Sequence, residues 1–176
     1  MNKKDNIIIA IDGRCASGKT TLAKKLAKNF DCNVFHMDDF FLRPEQRTEE
    51  RLAIPGENID HERFLKEVLL PLKAGRDFSY RPYNCKTGEL DEPIMVKAKL
   101  VNIVEGSYSC HNNLYEYYDC RIFMTVDKEE QMKRIISRNG SDAAKIFKEK
   151  WIPLEEKYFN EFEIEKRCDY IEGEVL

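Results

Sequence analysis

Eight residues, Gly13-Arg14-Cys15-Ala16-Ser17-Gly18-Lys19-Thr20, fit the pattern GxxxxGK[ST] at every fixed position. Successive backbone N–H groups in a glycine-rich turn, continued by a helix N-terminus, make an anion site. Gly13 and Gly18 permit close backbone approach. Lys19 is placed to reach the β- and γ-phosphates of a nucleoside triphosphate, and Thr20 offers a hydroxyl to Mg²⁺. Arg14, Cys15, Ala16, Ser17 and Thr21 complete this nucleotide-binding stretch, with Cys15 read as a tolerated loop residue rather than a redox group. A second candidate is Asp38-Asp39, in His36-Met37-Asp38-Asp39-Phe40-Phe41-Leu42. Phosphoryl transfer to an alcohol needs a carboxylate that orients the hydroxyl and takes its proton, and one of this pair fits. The plainer reading is a solvated turn.

Elements of regular structure must position these residues. Ile7 to Ile11 is a continuous apolar run ending near Gly13, as in a strand buried on both faces. After the glycine loop, Leu22, Ala23, Leu26, Ala27 and Phe30 recur at helical spacing. Strand, loop and helix are the context that the motif requires. Residues 33–37 read as a second strand and 38–58 as irregular chain. Asp60 reads as the N-cap of a helix with Phe64, Leu65, Val68, Leu69 and Leu72 on one face, kinked or shortened at Pro71 and stopped by Gly75. Turn signals at Lys86-Thr87-Gly88 and Pro93 predict a hairpin excursion over 78–98. Strands come next over 100–104, ending in Glu105-Gly106, and over 121–126. Asp127 and Glu130 form a capping-box start for a helix that turns Met132, Ile135 and Ile136 inward and ends at Asn139-Gly140. A further helical stretch from Ser141 is interrupted near Pro153, and Tyr170-Ile171 is a last strand.

This alternation predicts an α/β fold: a five-stranded, mostly parallel sheet with helices on both faces. The chain of 176 residues reads as one domain, with 38–98 as a substrate-side insert. With 42% hydrophobic and 35% charged residues it has the composition of a globular protein. A net charge of −3 argues against a nucleic-acid partner. No apolar run approaches the ~18–20 residues that span a bilayer, and no signal-peptide core follows the charged N-terminus. Both predict a cytoplasmic protein without membrane contact, whose partner is a small-molecule substrate. Six cysteines form no CxxC pair, and the three histidines have no ligand spacing with them, which predicts free thiols and no structural metal. Asn2-Lys3-Lys4-Asp5 matches a guanine-reading NKxD, but it precedes the glycine loop and is taken as coincidence.

The glycine loop, Met37-Asp38-Asp39-Phe40-Phe41 after the second strand and Val104-Glu105-Gly106-Ser107-Tyr108 after the third resemble the uridine kinase and phosphoribulokinase group of P-loop kinases. The likeness in element order runs from Ile7 to about Ile171. It implies the P-loop NTPase fold in its nucleoside/nucleotide-kinase-like form, with ATP and Mg²⁺ as cofactors. By that resemblance Asp38 matches the catalytic base, Glu105 helps Thr20 hold Mg²⁺, often through water, and Asp60 binds ribose hydroxyls. Tyr83 lies near the nucleobase by the same likeness, with hairpin packing as its plainer role. Arg134 and Arg138, four apart on one helix face, match lid arginines that neutralise the transferring phosphoryl group. The lid spans about 134–145. A solvated basic face is the alternative for that pair. The family's usual histidine after the tyrosine is missing from Asn84-Cys85-Lys86-Thr87-Gly88-Glu89-Leu90. The implied activity is phosphorylation of a small metabolite's hydroxyl, a nucleoside first. Nicotinamide riboside, pantothenate and sugar phosphates are the other acceptors, and a nucleotide switch or ATPase is a further reading.

Overall fold

The computed structural model describes residues 6–172, so the Asn2–Asp5 tetrad lies outside the described residues. The strands in chain order are β1 (Ile7–Gly13), β2 (Cys32–His36), β3 (Phe78–Tyr80), β4 (Tyr83–Asn84), β5 (Glu89–Leu90), β6 (Ile94–Val96), β7 (Val101–Glu105), β8 (Cys120–Met124) and β9 (Tyr170–Glu172). Five of them form one sheet in the order β2-β7-β1-β8-β9, and each pairing in it is parallel. Side chains alternate across a strand, so each strand feeds two layers. Ile8, Ala10, Phe35, Val104 and Phe123 face one core, while Ile9, Ile11, Val34, Ile103, Ile122 and Met124 face the other.

The helix α1 (Lys19–Asn29) covers the second face with Leu22, Ala23 and Leu26. Its apolar stripe is shorter than the spacing predicts. Ala27 is exposed, and Phe30 leaves the helix in extended conformation with 56% of its surface in water. The first face is covered by Phe64, Val68, Leu69 and Leu72 of one helical stretch and by Tyr158 and Phe159 of another. Each large side chain buried in this way contributes about 1.5–3 kcal/mol.

Both helical prolines are carried without a break. Pro71 follows the π-segment Leu65–Leu69, and Pro153 follows the π-segment Phe147–Trp151. A proline lacks the N–H and crowds the carbonyl four residues back, and a widened turn relieves that clash. The stretch 141–161 is therefore continuous, contrary to the interruption predicted near Pro153. The predicted hairpin is two nested antiparallel ladders, β3 with β6 and β4 with β5.

The helix Lys128–Asn139 is capped by Asp127, whose carboxylate accepts from the N–H groups of Glu129 and Glu130. Glu130 does not reach back to complete the box; its carboxylate takes the Arg134 Nε at 2.8 Å. Ile135 is buried and Met132 half-buried, but Ile136 is 46% exposed, so the inward face is narrower than predicted. Cys15, Ile135 and Ala144 form a third, small core that ties the glycine loop to this helix.

Candidate active site

Parallel register brings the chemistry to the carboxyl ends of three neighbouring strands. Glu105 pairs with Ile11 of β1 on one side and with His36 of β2 on the other. Ligands of open α/β sheets bind at such strand ends. Gly13 closes β1 at φ +127°, and a Cβ there would lie 2.0 Å from the Met124 carbonyl oxygen. Gly106 closes β7 at φ +137°, against Met37. No other residue type fits either turn without displacing backbone.

Below the loop, Asp12 is fully buried and accepts from four donors. These are Gly13 N (2.6 Å), Tyr108 N (3.1 Å), Cys110 N (2.8 Å) and Tyr158 Oη (2.9 Å). Burial pushes its pKa up to about 6, against the pull of those donors and of Lys19. It clamps the loop's first turn to the 106–110 segment.

Within the loop, Ala16 and Gly18 have positive φ, and α1 begins at Lys19 with its first N–H groups unspent inside the helix. Ser17 Oγ is buried with no hydrogen-bond partner among the described residues. Such a cradle of free donors fits the phosphates of a nucleotide. The Lys19 ammonium is held by the carbonyls of Gly13 (2.6 Å) and Arg14 (2.9 Å). Thr20 Oγ1 donates to Glu105 at 3.1 Å, a pair of hard oxygens suited to Mg²⁺. His36 Nδ1 lies 2.6 Å from Glu105 Oε1, and that bond raises the imidazole pKa.

The loop opens on a cleft of about 1140 Å³ lined by Cys15 through Thr21, Asp38, Glu105, Arg134 and Arg138. Of the two adjacent carboxylates, Asp38 faces this cleft. Asp39 turns away and accepts from Tyr80 Oη at 3.2 Å. Asp38's carboxyl titrates above the usual range. Loss of water is the main cause and the Glu105 charge the second, while Lys19, His36 and Arg138 oppose them. Arg134 donates to the Ala16 carbonyl at 3.3 Å, and Arg138 lies 6.0 Å from the Phe147 ring centroid.

Asp60 and Tyr83 do not line the cleft. The Asp60 carboxylate caps the helix His61–Phe64 through Arg63 N (3.1 Å) and also accepts from Gln46 Nε2 (2.9 Å). The Tyr83 hydroxyl accepts from Arg47 at 3.1 Å, and it is Arg47 and Cys85 that reach the cleft wall.

Sequence reasoning missed several residues. Glu155 is buried and accepts Cys15 N at 3.0 Å and Ser107 Oγ at 2.7 Å. Glu156 takes Arg14 in a two-pronged ion pair at 2.7 and 3.2 Å. Ser107 follows Glu105-Gly106 directly and was within reach of a motif reading; nothing local marks Glu155. Away from strand ends, Glu57, His61 and His111 place ligand atoms within 4.8 Å of one another, despite their lack of ligand spacing. Their geometry is that of hydrogen bonding. The two rings stack at 4.2 Å and 14°, so their lone pairs cannot converge on one ion. His111 Nδ1 accepts from Asn113 N, which leaves the proton of the neutral ring on Nε2.

The sequence matches the phosphoribulokinase / uridine kinase family over residues 8–146. It is 29% identical over 160 residues to a uridine kinase of Ureaplasma parvum, covering 84% of this chain and 75% of that protein. It is 28% identical over 148 residues to uridine-cytidine kinase B of Dictyostelium discoideum, covering 78% and 60%. In fold it is similar to a possible uridine kinase from Bacillus stearothermophilus, with a TM-score of 0.72 at 21% identity over 98% of this chain and 91% of that one. Against phosphoribulokinase from Rhodobacter spheroides the TM-score is 0.62 at 12% identity, covering 99% and 72%. With its acidic residues gathered at the strand ends beside a glycine-rich loop, the chain belongs to the phosphoribulokinase / uridine kinase family of small-molecule kinases.

Proposed function

We propose that this protein is an ATP- and Mg²⁺-dependent kinase that phosphorylates a hydroxyl of a nucleoside. The observation that carries the reading is that Asp38 opens on the same cleft as the phosphate cradle, while Asp39 is tied to Tyr80. Asp38 orients the acceptor hydroxyl and takes its proton. A carboxylate is a weak base, which suffices when the transition state is loose and the proton leaves late. Lys19, Arg134 and Arg138 offset the charge of the phosphoryl oxygens, and positioning with charge neutralisation supplies most of the acceleration. Thr20 and Glu105 would hold Mg²⁺, whose chemistry is to neutralise phosphate oxygens. Residues 38–98 form the acceptor side and about 134–145 the lid.

One observation favours a second reading, in which the acceptor is another alcohol such as nicotinamide riboside, pantothenate or a sugar phosphate. Cys85 and Arg47 line the cleft, and the family's usual histidine after the tyrosine is missing. An acceptor panel with ADP release as readout separates the two. Turnover with uridine or cytidine supports the first; background hydrolysis with both removes it and leaves the kinase reading. Strong GTP preference with no acceptor in the panel would remove the kinase mechanism as well.

A further inference from the structure

The Glu155 carboxylate contacts the phosphate cradle itself. It accepts the backbone N–H of Cys15, inside the glycine loop, in a buried hydrogen bond of 3.0 Å. Its other oxygen accepts Ser107 Oγ at 2.7 Å, and Ser107 Oγ lies 3.4 Å from Lys19 Nζ. A fixed negative charge therefore sits among donors that otherwise serve phosphate, linked through one hydroxyl to the lysine that reaches the terminal phosphates. No step of phosphoryl transfer uses it. The neighbouring Glu156 holds the same loop from outside, through the Arg14 side chain, and touches no cradle N–H in doing so.

We propose that Glu155 is a donor-selectivity residue, whose charge lowers the cradle's affinity for the terminal phosphate of a nucleoside triphosphate relative to a diphosphate. Like charges repel most where water is excluded, and Glu155 is buried. The group more highly charged at the Lys19 end suffers most. Such a bias keeps ADP and ATP closer in affinity than the cradle alone would. It also couples the helix Ile152–Glu161, which carries Glu155, to the phosphate end of the cleft.

This inference rests on the nucleotide reading of the cradle. It is tested on the full chain by calorimetric titration with Mg²⁺ and either ADP or a non-hydrolysable ATP analogue, a readout independent of turnover. Glu155→Gln keeps an acceptor for Cys15 N–H and removes the charge, so the preference for the triphosphate over ADP should rise about tenfold. Glu155→Ala should raise it in the same direction and serves where the glutamine variant does not fold. Glu155→Asp, which keeps the charge, should leave the ratio near that of the unaltered chain, as should Glu156→Gln. An unchanged ratio in the neutral variants overturns the proposal. So does an equal rise in Glu155→Asp or Glu156→Gln, since loosening of the loop then explains the effect. Failure of the unaltered chain to bind either nucleotide overturns the cradle reading itself, and this proposal with it.

Discussion

Asp38 and Asp39 are neighbours in sequence with opposite fates. One faces the cleft; the other is spent on Tyr80, while Arg63 fixes the turn by bonding the Asp39 carbonyl at 2.9 Å and stacking on Phe40 at 4.2 Å. Asp38→Asn is expected to lower kcat by about 10²–10⁴-fold with nucleotide affinity retained, measured by steady-state turnover and calorimetry. Asp39→Asn should leave kcat within a few-fold, since its oxygen still accepts from Tyr80. Because the Asp38 carboxyl is raised in the ligand-free protein, the acid limb of the kcat/KM profile should lie above the ordinary aspartate value. That Asp38 rather than Asp39 looks into the cleft was not legible from residue type or spacing. A one-residue turn decides it, and the turn is set by Arg63, which lies 24 residues downstream of the Asp39 carbonyl it bonds.

At the scale of elements, caps and strands were legible because their causes are local. The apolar runs, the Asp60 and Asp127 caps and the glycine turns all depend on a few adjacent residues. Asp60 shows how a local cause competes with a functional one: its carboxylate is engaged by Arg63 N and Gln46. Asp60→Asn keeps one acceptor but turns an amide NH2 toward the other donor, so it and Asp60→Ala should each lose about 1–2 kcal/mol in urea unfolding. Asp127→Ala should cost about 1 kcal/mol by the same measurement. Glu155 and His36 were not legible as partners. Their meetings with the loop and with Glu105 come from sheet register and from a helix that packs back from the far end of the chain. No pattern within any one element encodes them.

For the whole molecule, two buried groups respond to acid in opposite senses. Burial and the His61 charge hold the His111 pKa down to about 4, from 6.5. Its unfolded form binds the proton first, so stability is lost as pH falls from 6.5 towards 4, by about 1.4 kcal/mol per pH unit. Asp12, raised from 3.8 to about 6, works the other way and favours the folded state as pH falls from 6 towards 3.8. The two largely offset each other, so this pair leaves a shallow net dependence. His111→Asn retains an acceptor for Asn113 N–H and removes the titration. Its stability relative to the unaltered protein should improve by about 3 kcal/mol on going from pH 7 to pH 4, read from urea midpoints across that range. Among the described residues no helix is long and apolar enough to cross a membrane.

The π-segment Phe147–Trp151 gives the last long helix one residue more than an α-helical path of the same span would need. The wider turn takes up that residue without turning the rest of the helix. Deleting a single exposed residue such as Lys148 would restore an α-helical path over the same span and leave Glu155, Glu156 and Tyr158 beside the loop and Asp12. What the deletion removes is the room for Pro153, whose ring would then meet an ordinary helical turn. A relative with a gap of one residue at this place should accordingly keep the acidic pair and the tyrosine but carry no proline there.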